Sequence, residues 1–198
     1  MSEESSAIGV PGDARRLDDD LPLVVRARAE DTEAFEALVR KHQGWVFTLA
    51  YRMLGDRADA EEVAQEIFLK AYRGLGRFKG DARFSTWLYR IATNHCLNHL
   101  ESRRRRVGSH TNPGHLVERV SDPAPRPDQV VEQADVRHLV QQALLRLTPE
   151  HRGILVLREI QGLSYEEIGE LLGLESGTVR SRLHRARMEL KERLNPYR

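Results

Sequence analysis

The sequence predicts an all-helical protein of two small domains joined by a flexible linker, the second domain being a helix-turn-helix. Three observations predict it. Apolar residues recur at three- and four-residue steps through two long stretches of the chain, the pattern of amphipathic helices. Between those stretches, Gly108, Ser109, Asn112, Pro113, Gly114, Pro123, Pro125 and Pro127 break any helical period. No run has the character of a strand, and 198 residues leave room for two small units. The expected boundaries are a mobile tail over 1–24, a helical domain over 25–106, a linker over 107–133 and a second helical domain over 134–198.

The tail mixes Ser, Glu, Gly and Pro with an Asp18-Asp19-Asp20 run and few large apolar residues. From Asp31, the series Phe35, Leu38, Val39, His42, Val46, Leu49 and Met53 marks a first helix, with Gly55 placed to stop it. A second begins near Asp59 with Glu62 as capping partner, and carries Val63, Ala64, Ile67, Phe68, Ala71 and Leu75 on one face. Gly74, Gly76 and Gly80 among basic residues read as a loop before a third helix from about Phe84 to Arg105.

In the second domain, Val136, Leu139, Val140, Ala143, Leu144 and Leu147 form one stripe, and Thr148-Pro149-Glu150 reads as a cap with proline at the first helical position. That next helix ends at Gly162. Ser164 and Glu167 have the spacing of a capping box over a short helix with Tyr165, Ile168, Leu171 and Leu172 inward. Gly173-Leu174-Glu175-Ser176 makes a tight turn. The last helix, from Gly177, buries Val179, Leu183, Ala186 and Leu190 and leaves its other positions outward.

Composition narrows the function. The 31 Lys and Arg stand against 30 Asp and Glu, a net charge of +1, so any nucleic-acid contact must come from local segregation of charge. No apolar run is long enough to span a bilayer and no signal-peptide pattern opens the chain, so the expectation is a cytoplasmic protein with no membrane insertion. The single Cys96 cannot form an internal disulfide. His95, Cys96 and His99 offer only three local metal ligands, and Cys96 stands where a zinc hydrolase needs glutamate. No phosphate loop or serine elbow is present, so no metal, cofactor or catalysis is expected.

A capped short helix, a glycine turn and an Arg-rich second helix have the sequence form of a major-groove reader. Arg180, Arg182, Arg185 and Arg187 dominate that helix; Thr178, Ser181, Arg182 and Arg185 share one side, flanked by Arg180 and His184. A solvated basic helix in a structural bundle is the bland alternative. The third helix combines Thr86, Trp87, Tyr89, Arg90, Asn94 and Asn98 with the run Arg103-Arg104-Arg105-Arg106. Aromatic faces stack on unpaired bases while guanidinium groups follow phosphates, so this combination suits single-stranded or melting DNA. The equally open alternative is a core Trp87 and an Arg run opposing the helix dipole. A duplex-binding repressor and a protein-only helical adaptor are the rival functions.

Three segments then carry a family resemblance. They are Asp59-Ala60-Glu61-Glu62-Val63-Ala64-Gln65-Glu66-Ile67-Phe68, Phe84-Ser85-Thr86-Trp87-Leu88-Tyr89-Arg90-Ile91-Ala92, and Gly162-Leu163-Ser164-Tyr165-Glu166-Glu167-Ile168 followed by Gly177-Thr178-Val179-Arg180-Ser181-Arg182. In order and spacing they resemble the extracytoplasmic-function (RpoE-like) group of the sigma-70 family. The resemblance implies a non-enzymatic sigma factor that binds core RNA polymerase, at the largest-subunit clamp and the flap region, and directs promoter-specific initiation. It implies a polymerase-binding face of Asp59, Glu62, Gln65, Glu66 and Leu69. It implies a -10 surface of Phe78, Lys79, Phe84, Thr86, Trp87, Arg90, Asn94, Asn98, Arg103 and Arg104. For the -35 element it implies Ser176, Thr178, Arg180, Ser181, Arg182, His184 and Arg185. An anti-sigma factor is the implied regulator, and the linker resembles the segment that threads toward the polymerase active centre. Housekeeping members carry a Trp pair at the duplex fork, whereas Trp87 is followed by Leu88; weaker melting and stricter promoter choice follow.

Overall fold

A computed structural model describes residues 18–108 and 130–195. Every element among them is helical: α1 (Leu21–Arg28), α2 (Thr32–Leu54), α3 (Arg57–Gly74), α4 (Phe84–Gly108), α5 (Val130–Leu145), α6 (Pro149–Leu155), α7 (Tyr165–Leu172) and α8 (Ser176–Leu194). A single 3-10 turn (Leu75–Arg77) follows α3, and a wide π turn (Val156–Ile160) extends α6. The linker residues Glu118, Arg119, Asp122, Arg126 and Asp128, and the first seventeen residues, lie outside the described part.

Local chemistry explains the helix starts. Asp31 caps α2 by accepting from Ala34 N, and Gly55, at φ 83°, closes it in the left-handed conformation that glycine adopts without strain. Thr148 caps α6 and Pro149 follows it, as the sequence indicates. The capping box at α7 is complete: Glu167 N donates to Ser164 Oγ at 3.1 Å, and Ser164 N donates to Glu167 Oε2 at 2.7 Å. For α3 the expected cap is corrected. Asp56 has the extended backbone of a cap and accepts from Asp59 N, so the helix starts at Arg57; the Asp59 carboxylate instead pairs with Arg103 on α4 at 2.7 Å.

Helices α1 to α4 form the first domain, with α2 packed against α1, α3 and α4, and α3 against α4. Leu38, Val46, Leu49, Met53, Val63, Ile67, Phe84 and Leu88 are fully buried there. The expected tail boundary is also corrected, because α1 begins at Leu21 and buries Val24 and Ala27. An acidic residue anchors it. Asp20, buried, accepts from Lys41 Nζ at 2.5 Å and from His42 Nε2 at 2.8 Å. Trp45 Nε1 donates to His42 Nδ1, so the imidazole proton sits on Nε2 and faces Asp20. A stretch of three consecutive aspartates hid an anchor that charge counting reads as tail.

Helices α6, α7 and α8 build the second domain, with α5 packed on both α8 and α2. Helix α5 starts at Val130, inside the expected linker, and its first stripe residue Val136 is exposed rather than inward. The two domains share one buried core. Arg152 is 5% exposed and donates to the carbonyls of Leu144, Leu145, Leu147 and, across the domain boundary, Met53. Desolvation lowers its pKa to about 10, which still leaves it charged at neutral pH.

Two expected outcomes test this packing. Arg152→Leu removes the guanidinium donor from four carbonyls, of which Leu144 O keeps Leu147 N, and should destabilise the chain by roughly 3–5 kcal/mol in urea unfolding. Burial alone pushes the Asp20 carboxyl up, but hydrogen bonds from His42 and Lys41 outweigh it and hold the pKa below the ordinary 3.8. Asp20 therefore contributes stability above that value and loses it as pH falls through the lower folded value. Asp20→Asn should cost about 1–3 kcal/mol at neutral pH, and the gap to the parent should close in acid.

Candidate nucleic-acid interface

The C-terminal site is built by a short helix, a turn and a long one. Gly173, at φ 66°, turns the chain out of α7, and Leu174 N donates back to Gly169 O at 2.8 Å. Helix α8 then seats Val179, Leu183 and Ala186 in the core, fully buried. This fixes the rotation of the helix, so Ser176, Arg180, Ser181, His184 and Arg185 are exposed, with Thr178 and Arg182 half-buried at the margin. Arg180, Arg182 and Arg185 have no hydrogen-bond or ion-pair partner among the described residues. Ser181 Oγ donates to Thr178 O at 3.0 Å. Arg187 behaves differently: it donates to Glu159 at 2.6 and 3.0 Å, and its hydrogen bonds to Glu159 and Tyr165 raise its pKa. One of the four arginines read from the sequence is thus a structural tie.

The second surface lies along α4. Arg90, Asn94 and Asn98 are exposed on a common stripe, Trp87 and Thr86 are half-buried beside it, and Arg104 is exposed without a partner among the described residues. Lys79, exposed, lies on the loop before α4. Two expected contacts are corrected. Phe78 is 4% exposed and Phe84 0%, because they pack edge-to-face at 6.1 Å as core residues. Both rings sit against Trp87, at 5.3 and 5.7 Å, and back the tryptophan from the core. Arg103 is committed to Asp59. A cleft of about 240 Å³ opens between Lys79, Thr86, Trp87, Arg90 and Glu170 of α7.

Tyr89, which the sequence groups with the aromatic and polar residues of the third helix, links several elements. Its ring stacks on Trp45 with centroids 3.9 Å apart, and its hydroxyl donates to Gln161 Oε1 at 3.0 Å. Burial, with the Glu167 carboxylate adding to it, raises its pKa and keeps the proton for that bond. Arg90 NH2 donates to the Glu170 carbonyl at 2.8 Å.

The third face is on α3. Glu62 and Gln65 are exposed, and Leu69 is 54% exposed. Glu66 Oε2 accepts from His95 Nε2 at 2.6 Å, and His95 Nδ1 lies 2.5 Å from Lys70 Nζ. Asp59 is tied to Arg103 and Glu66 to His95, so of the three carboxylates in the expected set only that of Glu62 has no partner among the described residues. Tyr72, three residues after Leu69 and exposed, extends this apolar patch and packs edge-on against Phe35 at 4.9 Å. The three-residue spacing from Leu69 to Tyr72 is the signal for it in the sequence.

Neighbouring His95 and Cys96 point apart. His95 meets Glu66 and Lys70, whereas Cys96 is fully buried, and burial pushes its thiol up to about 12. No group of three metal-ligating side chains forms among the described residues. No described helix is long and apolar enough to cross a membrane.

An exposed arginine stripe on a helix-turn-helix, beside a separate aromatic and polar helix, defines a two-domain nucleic-acid-binding protein. Comparison with known proteins narrows it. Residues 38–106 match Sigma-70 region 2 and residues 137–190 match Sigma-70, region 4, together more than half of the chain. The RNA polymerase sigma-H factor of Pseudomonas aeruginosa is 39% identical, over 89% of this chain and 94% of that protein. The ECF RNA polymerase sigma-E factor of Escherichia coli is 36% identical over 89% and 95%. Among solved structures, the sigma factor RpoE in complex with the anti-sigma factor NepR from Bartonella quintana matches with TM-score 0.64 at 25% identity, over 83% of this chain and 98% of that one. CnrH in complex with the cytosolic domain of CnrY matches in fold with TM-score 0.65 at 24% identity, over 91% and 99%. The chain belongs to the extracytoplasmic-function group of the sigma-70 family, and its function is promoter-specific transcription initiation.

The burial of Cys96 gives a prediction. At mildly alkaline pH its thiolate fraction should be roughly a thousand-fold below that of a free cysteine. Ellman's reagent should modify the native protein far more slowly than the urea-unfolded one; equal rates would contradict the buried position.

Proposed function

We propose that promoter recognition is divided between the two domains, α8 reading the -35 element as duplex and α4 with the preceding loop engaging the -10 element as it opens. The observation that carries this reading is the set of three unpartnered guanidinium groups, Arg180, Arg182 and Arg185, on the outward face of a capped helix-turn-helix. Arg180 and Ser181 stand farthest outward and take base edges, with Arg185 beside them; Arg182, at the margin, takes the backbone. On α4, Trp87 offers a ring braced from behind by Phe78 and Phe84, while Arg90, Asn94, Asn98 and Arg104 follow the strand. The partners are core RNA polymerase, promoter DNA and an anti-sigma factor. Polymerase binding belongs to the α3 face of Glu62, Gln65, Glu66 and Leu69, with Tyr72 joining it, and the flap region meets the second domain. The protein works in the cytoplasm, without cofactor and without catalysing a reaction of its own. The domain limits follow: region 2 over 21–108, region 4 over 130–195.

Run-off transcription with purified core polymerase on genomic fragments tests the function. Holoenzyme transcription across a library of randomised -35 elements at fixed salt tests the residue roles. Arg180→Ala should relax preference at one or two positions, a loss of about 1–3 kcal/mol of discrimination, whereas Arg182→Ala should weaken all sequences alike. An Arg180→Ala profile identical to the parent's rules out base reading by that residue.

A further inference from the structure

The α3 face assigned to polymerase is held in part from α4. Ala92 and Cys96, both fully buried, fix the rotation of α4 and bring the neighbouring His95 to the seam where that helix packs on α3. There the ring meets two residues one turn apart. His95 Nε2 donates to Glu66 Oε2 at 2.6 Å, and His95 Nδ1 lies 2.5 Å from Lys70 Nζ. An ammonium only donates, so Nδ1 accepts, the ring is neutral and its one proton sits on Nε2 toward Glu66. The imidazole is 11% exposed and the Glu66 side chain 47%, so a nearly covered ring governs a carboxylate that solvent and a partner can reach.

On an isolated helix Glu66 and Lys70, four positions apart with the acid first, would pair with each other. Here the ring stands between them, and no direct ion pair joins the two among the described residues. The consequence is geometric. A Glu66 free of the ring would sample several rotamers and close on Lys70, whereas bound to it the side chain keeps one arrangement before any partner arrives. Its Oε1 has no partner among the described residues. Lys70 is drawn toward α4, so its charge does not cover the carboxylate.

We infer that His95 is a positioning residue for core-polymerase binding: it parts Glu66 from Lys70 and presents the Glu66 carboxylate, already oriented, to a donor group on the polymerase. The inference rests on the assignment of the α3 face to polymerase. It makes the docking face sensitive to protons. A second proton, on Nδ1, sets an N–H against the Lys70 ammonium, expels Lys70 and leaves Glu66 paired with a full imidazolium, so affinity falls in acid. The charged groups in contact with the ring, Glu66 and Lys70, both belong to α3; on α4 the titratable neighbour is His99, one turn on.

Fluorescence anisotropy of the labelled full-length chain with purified core polymerase tests it. Near neutral pH, His95→Leu should bind about ten-fold more weakly, while His95→Gln, which keeps an N–H for Glu66 and an acceptor for Lys70, should stay within about three-fold of the parent. In a Glu66→Ala background, His95→Leu should weaken binding no further, because it acts through Glu66. Acidification by about two pH units should weaken the parent about five-fold more than it weakens His95→Gln. Thermal melting of each variant accompanies the titrations, and if His95→Leu melts early, the pH comparison between the parent and His95→Gln decides. Parental affinity in a folded His95→Leu, a loss that His95→Gln does not recover, additive losses in the double variant, or equal pH dependence overturns the positioning role. Leu69→Ala, outside the bridge, separates the two levels: parental affinity there means that the face is misassigned and this inference falls with it. A Leu69→Ala loss beside a parental His95→Leu keeps the face and overturns His95 alone.

Discussion

The Arg152 guanidinium sits where the end of α5, the start of α6 and the end of α2 converge, and the placement of the whole second domain depends on it. Three of its four acceptors, the carbonyls of Leu144, Leu145 and Leu147, belong to the end of α5 and the turn after it. The turn after α5 leaves these carbonyls short of donors, Leu144 O keeping Leu147 N at 3.1 Å, and a planar group with five N–H bonds satisfies several of them at once. The fourth acceptor, Met53 O, is the equivalent orphan at the end of α2. Leucine or methionine would fill the same volume and supply none of these donors. The charge is tolerated in the interior because helix C-termini supply the partial negative charge that solvent would otherwise give.

From that anchor, position is passed along rigid elements to the recognition surface. Helix α6 packs on α8, α7 packs on α8 across the Gly173 turn, and the apolar side of α8 admits only one rotation. The exposed arginines are therefore aimed by Val179, Leu183 and Ala186, which never meet DNA. The first domain uses the same logic with aromatic rings. Asp20 orients His42, His42 accepts from Trp45, Trp45 stacks on Tyr89, and Phe78 and Phe84 close the other side around Trp87. A half-exposed tryptophan held against fixed rings has little rotamer freedom left to lose on contact with any further ring.

The sequence made the helices legible wherever apolar spacing and caps agreed. The Ser164 capping box, the Thr148-Pro149 start and the Val179 to Ala186 stripe are all local features, set within a few residues, and each appears as expected. What was not legible depends on partners far along the chain. Asp59 has the look of a cap, but Arg103, forty-four positions later, takes its carboxylate and Asp56 caps in its place. The family resemblance implies a DNA-facing Phe78 and Phe84, yet both rings are buried against each other and Trp87, and Phe84 also against His42 of α2. Asp20 reads as tail because its partners, Lys41 and His42, lie on the next helix. Local periodicity carries the elements, and long-range pairing decides which polar and aromatic side chains remain free.

That distinction bears on how a chain of near-zero net charge binds DNA at all. The 31 basic and 30 acidic residues cancel overall, so affinity depends on which guanidinium groups are left unpaired, not on how many exist. Arg103 and Arg187 are neutralised by Asp59 and Glu159, and Arg152 is buried, whereas Arg180, Arg182 and Arg185 remain free on one face. Arg90 is the intermediate case, since its partner is a backbone carbonyl of the other domain rather than a carboxylate of its own. A modest contact from each domain combines with the other through effective concentration when both are positioned together, so neither surface needs a large net charge.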